Sequence, residues 1–123
     1  MNANDVKYKV YADKGIVVAI IRPYRYDALD EFNKKYMAQS ISGIKIETTW
    51  DSTSEHFDMP AKLTAVARCH PEDTFDEEQG KRIAYNKLRK KYNASINKRL
   101  YKILTCLHKS IKLLDADLEG RDF

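Results

Sequence analysis

Cysteine, histidine and glycine are scarce in this sequence of 123 residues, and their scarcity excludes several kinds of site. The two cysteines, Cys69 and Cys106, are too few for a disulfide framework and too far apart for a metal clip, so we interpret them as small core residues. The three histidines lack metal-ligand spacing, and the four glycines form no phosphate-binding loop. No nucleophile motif occurs. We therefore expect no catalytic residues, no metal site and no cofactor.

Long apolar runs are also missing. The longest, Ile16 to Ile21, is far shorter than a membrane span, and the N-terminus has no apolar run of signal-peptide length. We expect a soluble, cytoplasmic protein that does not enter a membrane. The length suits one domain with a modest core, so we predict a single domain over 1–123.

Acidic residues are absent from Lys81 to Lys112, a stretch that carries eleven lysine and arginine residues and apolar residues at helical spacing. Residues 1–80 hold ten basic and fourteen acidic side chains, so the net charge of +4 conceals a local charge of +11. A helical stretch with such a positive field favours an anionic partner.

The first seventy residues carry the patterns of an antiparallel sheet with a short helix. The period-two alternation of Tyr8 to Arg22, with a turn at Asp13–Gly15, predicts a β-hairpin whose second strand is apolar on both faces and therefore central. Similar alternation predicts strands at Gly43–Trp50 and Ala61–Cys69, with the lone Trp50 in the core. Between the hairpin and these strands, apolar spacing predicts a short amphipathic helix over Asp27–Met37, capped by Asp27.

A long helix should follow, because Thr74 and Glu77 match a capping box and predict a start near Phe75. A helix from there to Leu118 would be about 65 Å long, too long for a compact chain with a radius of gyration of about 14 Å. Its apolar stripe changes face near Asn93, among weak helix formers.

Two arrangements satisfy this change of face. Either the helix breaks into two segments, which we favour, or one bent helix packs first on its own sheet and then on another subunit. Both arrangements favour a homo-oligomer. The predicted fold class is therefore α+β, with a basic helical region over 74–118 packed on the antiparallel sheet region of 1–70.

The helix face opposite the first apolar stripe carries four polar side chains at spacings of four, three and four: Arg82, Asn86, Arg89 and Asn93. Phe75 falls seven residues before Arg82, on the same line. Guanidinium groups bind phosphate through paired hydrogen bonds, asparagine amides read base edges, and an aromatic ring stacks on a purine. The row predicts a nucleotide site, although a solvated helix face with Phe75 in the core explains the same spacing.

The run ARCHPEDTFDEEQGKRIAYNKL, residues 67–88, follows the β region and leads into the basic helix. This segment resembles small bacteriophage proteins, most closely the Thoeris anti-defence protein one family. The similarity in length and layout covers nearly the whole chain, and the specific motif covers about twenty residues. The resemblance implies an N-terminal antiparallel sheet wrapped on C-terminal helices.

It also implies a function. Members of that family bind cyclic ADP-ribose isomers made by a bacterial TIR-domain defence enzyme and hold this signal in the host bacterial cytoplasm without cleaving it. They form dimers and larger oligomers, such as a trimer of dimers, and some bind cyclic oligonucleotides at a second site. By this resemblance the ligand is a glyco-cyclic ADP-ribose isomer. Arg68, Phe75, Arg82, Asn86, Arg89 and Asn93 are then expected to bind it, in a pocket that a second subunit closes.

Two other functions stay open. Eleven cations on one helical region suit a nucleic-acid backbone, so a phage nucleic-acid-binding protein is the main alternative. The second is a purely structural helical oligomer with lysine-rich solvent faces. Replacing Arg82 and Arg89 by alanine separates the three hypotheses. Sequestration predicts loss of nucleotide retention, nucleic-acid binding predicts a graded loss of DNA affinity, and a structural role predicts no effect on binding.

Overall fold

A computed structural model describes residues 1–37 and 56–121, which form the predicted α+β fold. An antiparallel sheet and a short helix precede one long C-terminal helix. The elements are, in chain order, β1 (Lys7–Tyr11), β2 (Ile16–Ile21), α1 (Asp27–Phe32), β3 (Leu63–Arg68) and α2 (Glu77–Gly120). The strand predicted at Gly43–Trp50, and with it the core position of Trp50, lies outside the described residues.

The sheet has the order β1-β2-β3 with both pairs antiparallel, which confirms the hairpin and the central place of its second strand. Val17 faces Val10 on one side and Ala67 on the other. Val17 and Ala19 are fully buried. As the central strand, β2 has a paired neighbour at both edges. Its face with Val17, Ala19 and Ile21 is buried in the core with Ala84 and Leu88, whereas Ile16 and Val18 on the other face are half-buried.

A glycine closes the turn between β1 and β2. Gly15 has φ +63°, a left-handed conformation that side chains disfavour, and follows a 3-10 turn at Ala12–Lys14. A Cβ at this position would lie 3.1 Å from the Cβ of Cys69. The carbonyl of Gly15 accepts the Cys69 N–H at 2.7 Å, so the turn is fastened to the end of β3.

The start of α2 differs from the predicted capping box. Asp76 is the N-cap, and its Oδ1 accepts the N–H groups of Glu78 at 3.1 Å and Gln79 at 3.3 Å. The Thr74–Glu77 box is therefore wrong, and the helix begins at Glu77 rather than near Phe75. An aspartate carboxylate caps a helix better than a threonine hydroxyl, which accounts for the later start.

The helix α2 is unbroken over 44 residues, so the favoured prediction of two segments is wrong. The weak helix formers near Asn93 continue the helix because the chain itself covers its turning apolar face. Three buried clusters follow one another along the helix. Their α2 members are Ala84 and Leu88 in the first, Tyr92 and Ile96 in the second, and Ile103 in the third.

The partners of these clusters change along the helix. The first cluster holds sheet residues such as Val17 and Ala67, the second holds Ala28 and Met59, and the third holds Leu29 with two phenylalanines. The second half of the stripe thus packs on α1 and the segment before β3, at least as far as Ile103. A second subunit is not needed to explain the change of face in this part.

The cap predicted for α1 is also wrong. Tyr26 is the N-cap residue, and Asp27 is the first residue of the helix. The Asp27 carboxylate instead accepts a hydrogen bond of 2.7 Å from the Tyr92 hydroxyl of α2. Burial, followed by this bond to the carboxylate, raises the pKa of Tyr92 well above its ordinary value of 10.0. The bond fixes α1 against the middle of α2.

Two lysines of α2 reach the outer side of β3. Lys87 Nζ donates to the carbonyl of Val66 at 3.1 Å, and Lys91 Nζ donates to that of Thr64 at 2.7 Å. Every second residue of an antiparallel strand bonds its neighbour, and the Cys69 N–H donates to Gly15. Residues 67, 65 and 63 therefore bond β2, and the carbonyls of Thr64 and Val66 point away from it. The helix and the strand are thereby joined through polar contacts as well as the core.

Beyond Ile103 the helix leaves the body of the protein. Leu107 is half-buried against the third cluster, and every other residue from Leu104 to Gly120 is exposed. This segment of α2 is about 25 Å long. Its large apolar side chains include Ile111 at 55% exposure and Leu114 at 57%.

Candidate functional site

A cavity of about 190 Å³ lies where β3 ends and α2 begins. The β1–β2 turn, the segment between β3 and α2, and the first two turns of α2 form its walls. Its lining residues are Gly15, Ala67, Arg68, Cys69, His70, Asp73, Thr74, Phe75, Asp76, Gln79, Gly80 and Ile83. All of these residues except Gly15 belong to residues 67–88, the motif segment that carries the family resemblance.

Local hydrogen bonds shape the segment between β3 and α2. The Asp73 N–H donates to the carbonyl of His70 at 2.9 Å, and the Glu72 N–H donates to His70 Nδ1 at 3.2 Å. The Cys69 thiol lies within weak hydrogen-bonding distance of the carbonyls of His70 and Asp73. His70 thus caps a tight turn, which brings Phe75 back towards the sheet.

Arg68 and Phe75 bring a cation and an aromatic ring to the wall of the cavity. Arg68 is the last residue of β3 and is exposed, so its guanidinium is available to an anion. Phe75 is half-buried, packs against the first cluster and lines the cavity, so it has both the core role and the cavity position that the sequence left open. Gln79 adds an amide, and the N-terminus of α2 adds partial positive charge.

The cavity also contains acidic groups. The Asp76 carboxylate is engaged in capping α2, and Asp73 is exposed on the rim. Their negative charge opposes a phosphate held deep in the cavity. A ring or base resting on Phe75, with its phosphate turned outward to Arg68, satisfies both features.

The other predicted site residues form a separate row. Arg82, Asn86, Arg89 and Asn93 are all exposed, on the side of α2 away from Ala84 and Leu88. Helical geometry turns this row about a quarter of the circumference from the α2 residues of the cavity. One copy of the chain therefore does not bring the six residues into a single pocket, and a joint binding role for them stays a prediction.

Most cations of the basic segment are unengaged. Lys81 lies over the Tyr8 ring at 5.6 Å, Lys87 and Lys91 bind β3, and Arg99 Nε donates to the carbonyl of Asp58 at 2.8 Å. The other seven make no hydrogen bond or ion pair within residues 1–37 and 56–121: Arg82, Arg89, Lys90, Lys98, Lys102, Lys109 and Lys112. Six of these side chains are exposed to solvent, and Lys102 is half-buried.

Sequence reasoning missed several cavity residues. Gln79, Gly80 and Ile83 line the cavity from α2, and Gly15 reaches it from the hairpin turn. The helical residues had a usable signal, because they lie three, four and seven positions after the Asp76 cap. Gly15 had none, since its place depends on the pairing of β2 with β3.

Residues 1–37 and 56–121 contain no helix apolar enough to cross a membrane and no cluster of histidine, cysteine and carboxylate residues that could hold a metal ion. No known protein family matches the chain, and no curated protein or solved structure is significantly similar to it.

Proposed function

We propose that this protein binds and sequesters a cyclic ADP-ribose-type nucleotide, the signal of bacterial Thoeris defence, without degrading it. It would act as a phage anti-defence protein in the cytoplasm of the host bacterium. The observation that carries the proposal is the cavity at the start of α2, where Arg68 and Phe75 lie together in the motif segment. They offer a cation for a pyrophosphate and a ring for an adenine.

The cavity volume indicates how the ligand would be held. At about 190 Å³ it is smaller than the 300 to 1,000 Å³ of ordinary small-molecule pockets, so one copy encloses only part of a cyclic dinucleotide-sized ligand. A protein that sequesters the signal must compete with the receptor of that signal, which requires nanomolar binding, about −12 kcal/mol. We therefore propose that a second copy of the chain closes the pocket and that its Arg82 and Arg89 complete the cationic wall.

Retention and release of the ligand test this function. The purified protein is incubated with a glyco-cyclic ADP-ribose isomer, filtered, and then heated to denature it. Sequestration predicts that the nucleotide leaves the filtrate and returns intact after heating. A cleaved product would indicate an enzyme instead, and an undepleted filtrate would contradict the proposal.

Paired substitutions locate the site. Arg68→Ala removes the cavity cation, and Lys62→Ala removes an exposed cation just before the other end of the same strand. Phe75→Leu keeps the apolar contact with the core and removes the stacking ring. We expect Arg68→Ala and Phe75→Leu to abolish retention while Lys62→Ala leaves it unchanged. Equal losses for Arg68→Ala and Lys62→Ala would indicate a general charge effect.

A second candidate function is supported by the unengaged cations of α2. Seven lysine and arginine side chains along one helix, six of them exposed and Lys102 half-buried, suit the phosphates of a duplex. Fluorescence anisotropy with duplex DNA tests this alternative. Binding whose affinity falls steeply with salt, and falls equally for Arg82→Ala with Arg89→Ala and for Lys98→Ala with Lys102→Ala, would favour it over sequestration.

A further inference from the structure

The two edges of the described sheet differ in whether their main chain is free. At β3, the outward carbonyls of Thr64 and Val66 accept the ammonium groups of Lys91 and Lys87. At the opposite edge lies β1, which pairs with β2 on its other side. The main chain of β1 is therefore the part of the sheet to which a further strand can be added.

The hydrogen-bonding pattern identifies the free groups of β1. Residues 17, 19 and 21 of β2 bond β3, so residues 16, 18 and 20 bond β1 at positions 11, 9 and 7. The N–H and C=O groups of Tyr8 and Val10 therefore point away from the sheet. They have no hydrogen-bond partner within residues 1–37 and 56–121. An extended polypeptide beside β1 would bond all four groups.

The side chains of β1 form a charged row and an apolar row. Lys7 and Lys9 lie on the sheet face away from α2, are exposed, and make no ion pair with the described residues. Tyr8 and Val10 lie on the other face and pack against the first cluster. They remain half-buried, because α2 packs mainly on β2 and β3. A strand placed beside β1 would contact both rows.

These rows indicate the side chains that such a strand needs. Neighbours across two strands share a face, so acidic residues opposite Lys7 and Lys9 would be stabilised by opposite charge. Aliphatic residues opposite Tyr8 and Val10 would cover the half-buried apolar surface. Lys81, whose Nζ lies 5.6 Å from the centroid of the Tyr8 ring, adds positive charge near the same edge. The edge therefore fits an extended segment in which carboxylates alternate with aliphatic side chains.

Two other occupants fit this edge less well. A second copy of β1, paired antiparallel over its full length, would set Lys9 against Lys9, and like charges directly opposite each other destabilise a sheet. A nucleic acid would satisfy the lysines but would leave the outward main-chain groups of Tyr8 and Val10 without a regular set of partners.

We infer that β1 binds an extended acidic segment of a partner protein by strand addition. Asp5 and Asp13 lie in the 3-10 turns before and after β1, so like-charge repulsion confines the acidic part of the segment to about the five residues of the strand. This inference goes beyond the proposed function and does not depend on nucleotide binding, since the cavity lining described above includes no residue of β1.

A labelled peptide tests the inference on the full chain. The probe has about seven residues in which glutamate alternates with valine, and fluorescence anisotropy measures its binding. We expect saturable binding. A peptide with the same residues in two blocks should bind at least about tenfold more weakly, because it cannot match both rows. No binding of the alternating peptide, or equal binding of the two peptides, would overturn the inference.

Methylation of peptide nitrogens separates strand pairing from charge attraction. The N–H groups of alternate residues in a strand point to the same side, so methyl groups on all valines or on all glutamates block one side only. One of these two peptides should keep its binding and the other should lose it. Equal effects of the two methylation patterns would show that charge alone holds the peptide, and would overturn strand addition.

Charge reversal locates the binding edge. Lys7→Glu with Lys9→Glu should raise the dissociation constant of the alternating peptide at least about tenfold. Lys109→Glu with Lys112→Glu is the matched control, because it changes the net charge equally at the exposed end of α2. Circular dichroism shows whether both variants fold. A peptide with lysine in place of glutamate should bind the β1 variant in preference to the wild type. Equal losses in the two variants, or failure of this rescue in a folded protein, would contradict the inference.

Competition and sedimentation test the other occupants. Single-stranded DNA that displaces the peptide at equal concentration would indicate a general polyanion site and overturn the inference. Self-association that is lost only in Lys7→Glu with Lys9→Glu would assign the edge to a second copy and also overturn it. Nucleotide retention should be unchanged in this variant, so the failure of this inference and the failure of the proposed function are distinguishable.

Discussion

The first turns of α2 and its last turns differ in surroundings more than in composition. Ala84 and Leu88 are fully buried against the sheet, whereas Leu114 and Leu118 are 57% and 44% exposed. Both parts carry unengaged cations opposite their apolar residues. The comparison shows that an amphipathic pattern identifies the face of a helix that needs covering. The pattern does not show whether residues of the same chain cover that face.

The largest expected difference between the two parts comes from the same leucine truncation at each end. Leu88→Ala should lower the free energy of unfolding by about 2 to 5 kcal/mol, because Leu88 is fully buried and a cavity would remain. Leu113→Ala should change it by less than about 0.5 kcal/mol, because that side chain is exposed and lies off the apolar stripe. Urea unfolding monitored by circular dichroism measures both. Similar losses would mean that the end of α2 is as well packed as its start.

The two glycines of α2 sharpen the contrast. A Cβ on Gly80 would lie 2.7 Å from Cγ2 of Val17, a rigid and fully buried side chain, so Gly80→Ala should destabilise the fold by about 1 to 3 kcal/mol. No atom of the described residues lies within 4 Å of the corresponding position on Gly120. Gly120→Ala should therefore be neutral or slightly stabilising. Thermal unfolding of both variants is the measurement, and a stabilised Gly80→Ala protein would show that α2 does not pack closely on β2.

The start of α2 offers a smaller effect. Asp76→Ala removes the cap that accepts from Glu78 and Gln79 and should cost about 0.5 to 2 kcal/mol. Thr74→Ala should have little effect on stability, because Thr74 lies outside the observed cap. Chemical denaturation of the two variants decides between the caps. A larger loss for Thr74→Ala would restore the capping box that the sequence predicts.

The smallest effect is expected at Tyr92, where α2 passes from the sheet to α1. Tyr92→Phe removes the bond to Asp27 and should cost about 0.5 to 1.5 kcal/mol at neutral pH. The folded-state pKa of Tyr92 is raised, so above pH 10.0 the unfolded chain loses the phenol proton first and stability falls as the pH rises. Tyr92→Phe should make this alkaline decline shallower.

Unfolding measured from pH 8 to pH 11 tests the alkaline prediction. Tyr101→Phe is the matched control, because Tyr101 is 70% exposed on the outer part of the same helix. An identical alkaline slope for the wild type and Tyr92→Phe would contradict a buried, bonded phenol.

Local patterns predicted the described strands and the turn at Gly15, because alternation and left-handed turns depend on neighbouring residues. They failed where a distant residue competes. Asp27 has a good capping side chain, yet it binds Tyr92, 65 positions away along the chain. The predicted break near Asn93 failed for the same reason, since α1 covers the turned face of α2.

The candidate site was only partly predictable. The motif segment identified Arg68 and Phe75, which share a cavity, because both lie within a few residues of the turn that builds it. Helical spacing identified the row from Arg82 to Asn93 but could not relate it to the cavity. The row lies about a quarter of the circumference from the cavity residues of α2. The sequence does not show whether a ligand or a second copy of the chain contacts both faces.

Among the described strands β3 lies at one edge of the sheet, and its contacts with Lys87 and Lys91 would hinder the addition of a further strand there. An edge strand with open carbonyls is a template for strand addition, and such addition leads to aggregation. Here an incoming strand would have to displace two ammonium groups from the carbonyls of Thr64 and Val66. Acetylation of either lysine would remove its charge and weaken this barrier.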